Sequence, residues 1–236
     1  MMRALIVDDE VYAREEIEAL LAETGEFAVL GKCANALEAL SAINKQRPDV
    51  LFLDVQMPVI NGFELLDMIE EKVMPSVVFV TAYDEYALKA FEKDALDYLL
   101  KPVEKTRLHK TVEKLKKRLS EGAKPVFAGR KIKKIPCLHF NRIKLLDVAE
   151  VECVRSGETG VYVISSQGEF YTDLTLQVLE DKTDLVRCHK QFLVNIDRMD
   201  EIVPRENGAA EIKTKSGRLI PVSRRYLKTL KDQWSF

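Results

Sequence analysis

Asp8 and Asp9 follow the apolar run Ala4-Leu-Ile-Val7, and Asp54 follows Val50-Leu-Phe-Leu53. Thr81 closes Val77-Val-Phe-Val80, and Lys101-Pro102 closes Tyr98-Leu-Leu100. Four short apolar runs thus end in an acid pair, a single acid, a hydroxyl and an amine. That set suits a divalent cation and a phosphoryl group. A cation held by one or two carboxylates reduces the repulsion between an attacking carboxylate and an incoming phosphoryl dianion. An ammonium neutralises charge on the transferring group and a hydroxyl donates to one of its oxygens, so catalysis becomes positioning plus electrostatics. Any one of these acids alone reads as a turn or cap residue on a βα loop. Four matched positions at four successive run ends point to one convergent site.

Convergence needs a parallel sheet, because ligand chemistry gathers outside the carboxyl ends of parallel strands. Strand-like segments are read at Arg3–Val7, Ala28–Lys32, Val50–Leu53, Val77–Val80 and Asp97–Leu100. Helical patterns alternate with them at Val11–Glu23, Ala36–Gln46, Phe63–Glu71, Asp84–Glu92 and Glu104–Leu119. Val50–Leu53 and Val77–Val80 are continuously apolar, as expected of strands covered on both faces. Asn35 reads as a helix N-cap, and Pro48 marks the exit of the same helix. The last helix carries Leu108, Val112, Leu115 and Leu119 as one apolar stripe. Five βα units predict a right-handed, doubly wound α/β domain.

The chain has 236 residues, which suits two domains better than one. No apolar run approaches the roughly 18 residues needed to cross a bilayer, and Met1-Met-Arg3 leads directly into the first strand. A cytoplasmic protein is expected. Cys33, Cys137, Cys153 and Cys188 form no C-x-x-C pair, so reduced thiols are expected, and three histidines make a zinc site unexpected. Residues 1–120 carry 16 Lys and Arg against 22 Asp and Glu, a net of −6; residues 121–236 carry 20 against 16, a net of +4. An acidic front joined to a basic back hints that the back half meets a polyanion.

Charge, Gly and Pro dominate from Ser120 to Lys134, and residues 119–134 read as a linker between a domain at 1–118 and another at 135–236. The second half is read as mostly antiparallel β. Its strands are expected at Arg142–Leu146, Val148–Val154, Gly160–Ser165, Glu169–Thr172, Met199–Pro204, Ala209–Thr214 and Arg218–Val222. Ser156-Gly157, Gln167-Gly168, Asn207-Gly208 and Ser216-Gly217 are turn signals. Two short helices are expected at Leu174–Leu179 and Ser223–Gln233. Basic side chains beside small polar groups, in Arg187-Cys-His-Lys190 and Ser223-Arg-Arg225, suit phosphate contacts and guanine edges. Arg155 adds a third basic point. Each has a plainer reading: Arg187 pairs with an acid, and Arg224-Arg225 form a solvated helix start.

Residues 1–118 resemble the receiver domain of two-component response regulators, which has the flavodoxin-like (βα)5 fold. The motifs are Val7-Asp8-Asp9, Leu53-Asp54-Val-Gln-Met-Pro58 with Gly62, Val80-Thr81-Ala82 and Tyr98-Leu-Leu-Lys101-Pro102. The resemblance implies that Asp54 accepts phosphate from a sensor histidine kinase. It implies Mg2+ on Asp9, Asp54 and the Gln56 backbone carbonyl with Asp8 in support, a cis Lys101-Pro102 peptide, and Thr81 with Tyr98 as a switch pair. Residues from about 130 to 235 resemble the LytTR DNA-binding domain, on Arg187-Cys-His-Lys-Gln-Phe-Leu-Val-Asn195, the Ile202 strand and Pro221-Val-Ser-Arg-Arg-Tyr226. That implies contacts to paired promoter sites from Arg155, Lys190, Arg224 and Arg225, and a homodimer on phosphorylation. Two other readings stand beside it: a phosphorylation-gated module that binds protein, and a phosphatase-like or flavodoxin-like enzyme. The second lacks a Gly-rich phosphate loop or another acid/base set. The family reading makes the chain a regulator and not an enzyme.

Overall fold

A computed structural model of the chain describes residues 1–122, 129–140, 142–205 and 208–234, leaving aside the side chains of 91, 92, 229 and 231–234. Asn207 of one turn signal and residues 123–128 of the expected linker lie outside the described residues. The chain divides into two compact units, Met1–Gly129 and Arg130–Phe236.

In the first unit, strands β1 (Met2–Val7), β2 (Phe27–Cys33), β3 (Val50–Leu53), β4 (Ser76–Thr81) and β5 (Asp97–Leu100) pair in parallel, in the order β2-β1-β3-β4-β5. Helices α1 (Val11–Thr24), α2 (Ala36–Gln46), α3 (Gly62–Asp67), α4 (Ala87–Glu92) and α5 (Lys105–Ser120) connect or follow them. Alternate strand residues Ala4, Ile6, Val50, Phe52, Val78, Val80 and Leu99 pack with Ile17 and Leu21 of α1 and with Leu108, Val112 and Leu115 of α5. Their neighbours Leu5, Val7, Leu51, Leu53, Val77 and Phe79 are buried as well. Both faces are therefore covered, which is why β3 and β4 read as unbroken apolar runs. The chain steps from β1 to one side and returns to the other for β3. The switch point between β1 and β3 is where such sheets bind ligands.

Local signals explain the helix ends. The Asn35 side chain accepts from Glu38 N–H at 3.0 Å and caps α2. Asn61 and Glu64 form a reciprocal capping box at the start of α3. Two helices are shorter than their periodicity predicts. α3 tightens into three-residue bonds at Met68 and Ile69 and gives way to a 3-10 turn at Glu71–Val73. α4 starts at Ala87 instead of Asp84, and the Tyr83 carbonyl in the loop before it accepts from the Tyr98 hydroxyl. Leu119 leaves the stripe of α5 and is exposed, while Thr111 joins the buried face.

In the second unit, a seven-stranded sheet and a three-stranded sheet are both antiparallel. The larger contains β6 (Lys134–His139), β7 (Arg142–Asp147), β8 (Val151–Gly157), β9 (Gly160–Ser165), β10 (Gly168–Thr172), β11 (Val186–His189) and β12 (Phe192–Val194), with α6 (Leu176–Lys182) between β10 and β11. The smaller contains β13 (Met199–Pro204), β14 (Ala210–Thr214) and β15 (Leu219–Val222), and α7 (Arg224–Trp234) follows. Cys153, Ile164, Cys188 and Val194 of the larger sheet share a core with Ile212, Ile220, Val222 and Leu230.

β6, β11 and β12 have no counterpart in the periodicity. β6 opens in a lysine-rich stretch and contains Pro136, which ordinarily argues against a strand away from an edge. β11 and β12 are four and three residues long and are split by the polar turn at Lys190 and Gln191. Val148–Glu150 forms a 3-10 turn before β8 instead of its first residues. The four cysteines are free and buried, and burial pushes each thiol up to about 12.

Candidate functional site

Asp8, Asp9, Asp54, Thr81 and Lys101 all stand at the carboxyl ends of β1, β3, β4 and β5. One carboxylate oxygen from each of Asp8, Asp9 and Asp54 lies within 4.8 Å of the others, with Asp8 and Asp54 buried and Asp9 exposed. Lys101 Nζ is 2.6 Å from Asp8 Oδ2, 3.5 Å from Asp54 Oδ2 and 3.5 Å from Glu10 Oε2. The Lys101-Pro102 peptide is cis.

Backbone geometry fixes the acids. Asp54 N–H donates to the Val7 carbonyl at 2.8 Å, which ties the ends of β1 and β3 together. Asp8 Oδ1 accepts from Glu10 N–H at 2.9 Å, and Arg14 donates to the Asp8 carbonyl at 2.5 Å. Gly62 closes the loop behind Asp54. Its N–H bonds the Val55 carbonyl, and a Cβ there would sit 2.3 Å from the Asp54 carbonyl oxygen. Only glycine permits that approach.

Electrostatics follow from burial and crowding. Burial raises the Asp8 pKa, the hydrogen bond from Lys101 and Glu10 N–H opposes it, and the field of Asp54 adds to it; the net shift is upward. Burial works against the Lys101 charge, but the hydrogen bond to Asp8 and the fields of Asp54 and Glu10 outweigh it, so its pKa lies above the ordinary value. Three acids facing one lysine leave a surplus of negative charge, the condition that favours a bound cation.

Thr81 is fully buried, and its Oγ1 has no hydrogen-bond partner among the described residues. A buried, unsatisfied hydroxyl is costly and marks a site built for a group it can donate to. Tyr98, one strand over, donates its hydroxyl to the Tyr83 carbonyl in the loop after Thr81. Its ring lies 6.3 Å from Phe79. Burial, with the fields of Asp84 and Asp54, pushes its phenol up to about 12. Gln56 N–H faces Asp54 Oδ1 at 3.4 Å, and its side chain reaches the Tyr86 hydroxyl. Gln56 thus carries two contacts where its sequence position suggested only a carbonyl. Glu10 and Arg14 were not singled out in the sequence; position after an acid pair was the only signal available.

In the second unit the basic residues gather through backbone bonds. Ser156 N–H donates to the Gln191 carbonyl at 2.8 Å, which sets the Lys190 turn beside the strand end bearing Arg155. Ser223 N–H donates to the Cys188 carbonyl at 3.1 Å, docking the start of α7, with Arg224 and Arg225, on β11. Arg224 runs alongside Gly208, where a Cβ would lie 3.5 Å from its Nε. Lys190, Arg224 and Arg225 are exposed. Arg155 is half-buried and engaged: its guanidinium lies 2.6 Å from Glu169 and 5.2 Å from the centre of the Tyr162 ring. Arg187 takes the plainer of its two readings, paired with Glu180 at 2.6 Å with its side chain nearly covered. It also donates to the Lys190 carbonyl at 3.4 Å and so shapes the turn instead of projecting from it.

Comparison with known proteins agrees with both halves. The family model of the response regulator receiver domain matches residues 4–113, and that of the LytTr DNA-binding domain matches residues 141–235. A response regulatory protein of Vibrio vulnificus is 52% identical over 98% of this chain and 98% of its own. The transcriptional regulatory protein BtsR of Salmonella typhi is 49% identical over 98% of each. Among solved structures, the response regulatory domain of protein mrkE from Klebsiella pneumoniae covers 51% of this chain and 99% of its own, at 30% identity and a TM-score of 0.47. Both family models and the BtsR relative's name describe transcriptional regulation, not an enzyme family. The chain belongs to the LytTR family of two-component response regulators, a transcriptional regulator in which a receiver domain is followed by a LytTR DNA-binding domain.

Proposed function

We propose that Asp54 is the phospho-acceptor of a relay that starts at a sensor histidine kinase. An Asp54 carboxylate oxygen forms a bond to phosphorus, and the bond from phosphorus to the kinase's imidazole nitrogen breaks. Its electron pair stays on that nitrogen, which takes a proton from solvent. The observation that carries this reading is the cluster itself: three carboxylates within 4.8 Å, with Lys101 Nζ 3.5 Å from Asp54. Lys101 neutralises charge on the arriving phosphoryl group, and the partnerless Thr81 hydroxyl donates to one of its oxygens.

The surplus of acid fits Mg2+, held by Asp9, Asp54 and the Gln56 backbone carbonyl, with Asp8 in support. When bound it screens the repulsion between the acids and the phosphoryl oxygens. Phosphorylation brings nearly two negative charges to this pocket. Thr81 is drawn toward them, and the β4–α4 loop that Tyr98 holds through Tyr83 moves with it. A shift from 1:99 to 99:1 needs about 5.5 kcal/mol of preference for the new state.

The phosphorylated chain forms a homodimer, and its second half binds paired promoter sites through Arg155, Lys190, Arg224 and Arg225. The net charge of +4 over residues 121–236 supports a polyanionic partner. We place the protein in the cytoplasm, where promoter DNA lies; among the described residues no helix is long and apolar enough to cross a membrane. Footprinting on the DNA upstream of its own gene, with and without phosphoramidate treatment, tests the whole chain of events. Protection of two spaced sites that strengthens on treatment supports it; protection indifferent to treatment, or none, contradicts it.

A further inference from the structure

The charge of Arg187 is met inside the second unit. Glu180 Oε2, on α6, accepts from Arg187 Nε at 2.9 Å and from Nη2 at 2.6 Å. The remaining arm, Nη1, donates to the Lys190 carbonyl at 3.4 Å. The Arg187 side chain is 12% exposed, so it has little surface left to offer a partner. Its flat fork thus ties α6 to the turn between β11 and β12.

That turn takes its shape from side chains. The β11–β12 ladder pairs Val186 with Val194 and Arg187 with Leu193, then slips, so that His189 faces Phe192. A bulge of this kind takes the tip of the hairpin out of the regular ladder, and its backbone groups need other partners. Gln191 N–H donates to His189 Nδ1 at 3.2 Å, and the Gln191 carbonyl accepts from Ser156 N–H at 2.8 Å. The Lys190 carbonyl accepts from Arg187. Lys190 itself is exposed, and it leaves the turn from a peptide plane that Arg187 holds. Glu180, Arg187 and Arg225 also line one pocket, so Glu180 cancels a second positive charge beside Arg225.

We infer that Glu180 and Arg187 are positioning residues for sequence discrimination: Arg187, aimed by Glu180, fixes the turn that carries Lys190 and binds no phosphate itself. The inference rests on DNA binding through Lys190 and Arg225. Attraction to any duplex needs only positive charge near phosphates and tolerates a small displacement of the turn. Reading base edges needs donors held at hydrogen-bond distance and angle. A loosened turn therefore weakens binding to the chosen site more than binding to DNA at large. Lysine at 187 keeps the charge but lacks the fork that reaches Glu180 and the Lys190 carbonyl together.

The test titrates the full chain, treated with phosphoramidate, at two salt concentrations. One DNA is the fragment protected in footprinting upstream of its own gene; the other is a shuffled duplex of the same length and base composition. Arg187→Lys and Glu180→Gln are each expected to lower the preference for the protected fragment by about three- to tenfold. The double variant falls no further than the stronger single, because both changes act through one contact. Arg187→Gln is expected to lose the same preference while its salt slope stays at the parent value. Melting temperatures are measured alongside. An unchanged preference, equal losses on both DNAs, a slope lowered by about one in Arg187→Gln, or losses that track a lowered melting temperature overturn the inference and leave DNA binding standing. A parent chain that prefers neither DNA overturns the DNA reading and the inference with it.

Discussion

Lys101 Nζ leans on Asp8, at 2.6 Å, and stands back from Asp54, at 3.5 Å. The ammonium is thus anchored by an acid that is not the proposed nucleophile, within reach of the acid that is. Asp54 keeps lone pairs for attack, and the positive charge is already in place for the group it receives. Preorganisation of this kind costs no rearrangement at the moment of transfer.

The arrangement has a cost that a cation relieves. Burial and the neighbouring Asp54 raise the Asp8 pKa despite Lys101. A carboxyl raised on folding loses stability as pH rises through its folded value, so at neutral pH the charged Asp8 works against the fold. Asp8→Asn is expected to raise the melting temperature at pH 7 without Mg2+. Mg2+ is expected to stabilise the parent chain, by about 2.7 kcal/mol at a hundred times its Kd, and Asp9→Ala to lose most of that gain. Melting curves with and without Mg2+ check both; a parent protein indifferent to Mg2+ removes the cation from the account.

Thr81→Val replaces the partnerless hydroxyl by a methyl of similar size. Removing an unsatisfied buried group is expected to stabilise the resting fold by about 1 kcal/mol. The same change takes away a donor to the phosphoryl group, so the proposed dimerisation on phosphorylation is expected to be lost. Denaturant unfolding and sedimentation of the labelled protein read the two effects. A destabilised variant that still dimerises on labelling contradicts the role given to this side chain.

Asp97 is a buried acid on β5 that receives Arg107 at 2.9 Å, Lys114 at 3.1 Å and Thr111 at 2.7 Å. Burial pushes its pKa up, but the bonds from Thr111, Lys114 and Tyr98 N–H outweigh that, and the net shift is downward from 3.8. A lowered acid contributes stability that is present above its unfolded value and lost as pH falls through its folded one. Asp97→Asn is expected to cost about 1–3 kcal/mol at pH 7, since the cations it leaves are partly solvated. It should also flatten the acid limb of the stability curve below pH 3.8. An unchanged limb would mean that Asp97 does not lock α5 to β5.

On the DNA side, Lys190→Ala and Arg225→Ala are each expected to weaken binding and to reduce the salt slope by about one, if each neutralises one phosphate. Glu169→Gln releases Arg155 from its exposed ion pair and is expected to tighten binding by about two- to fivefold at low salt. Titrations at two salt concentrations decide; equal slopes across the variants remove these residues from the interface.

The receiver half was legible because its burial is two-sided and its polar residues sit at strand ends. Val50–Leu53 and Asp97–Leu100 begin and end in the structure where their sequence patterns do. Lys101 and Asp54 are found together for the same reason. Contacts made by tertiary approach left no periodic trace. The Gln56–Tyr86 bridge joins residues 30 apart, and the pairing of Arg155 with Glu169 spans 14. Strands β11 and β12 were invisible as strands because their polar turn carries the motif that made the segment conspicuous for another reason. The start of α4 was misplaced by three residues, in a loop that the Tyr98 hydroxyl ties to β5 from a distant part of the sequence.

The central claim is tested most directly by peptide mass spectrometry after phosphoramidate treatment, in the parent chain and in Asp54→Asn. One phosphoryl group on the peptide that contains Asp54, absent from the variant, is the expected result. Label on another residue, or undiminished label in Asp54→Asn, would contradict the account.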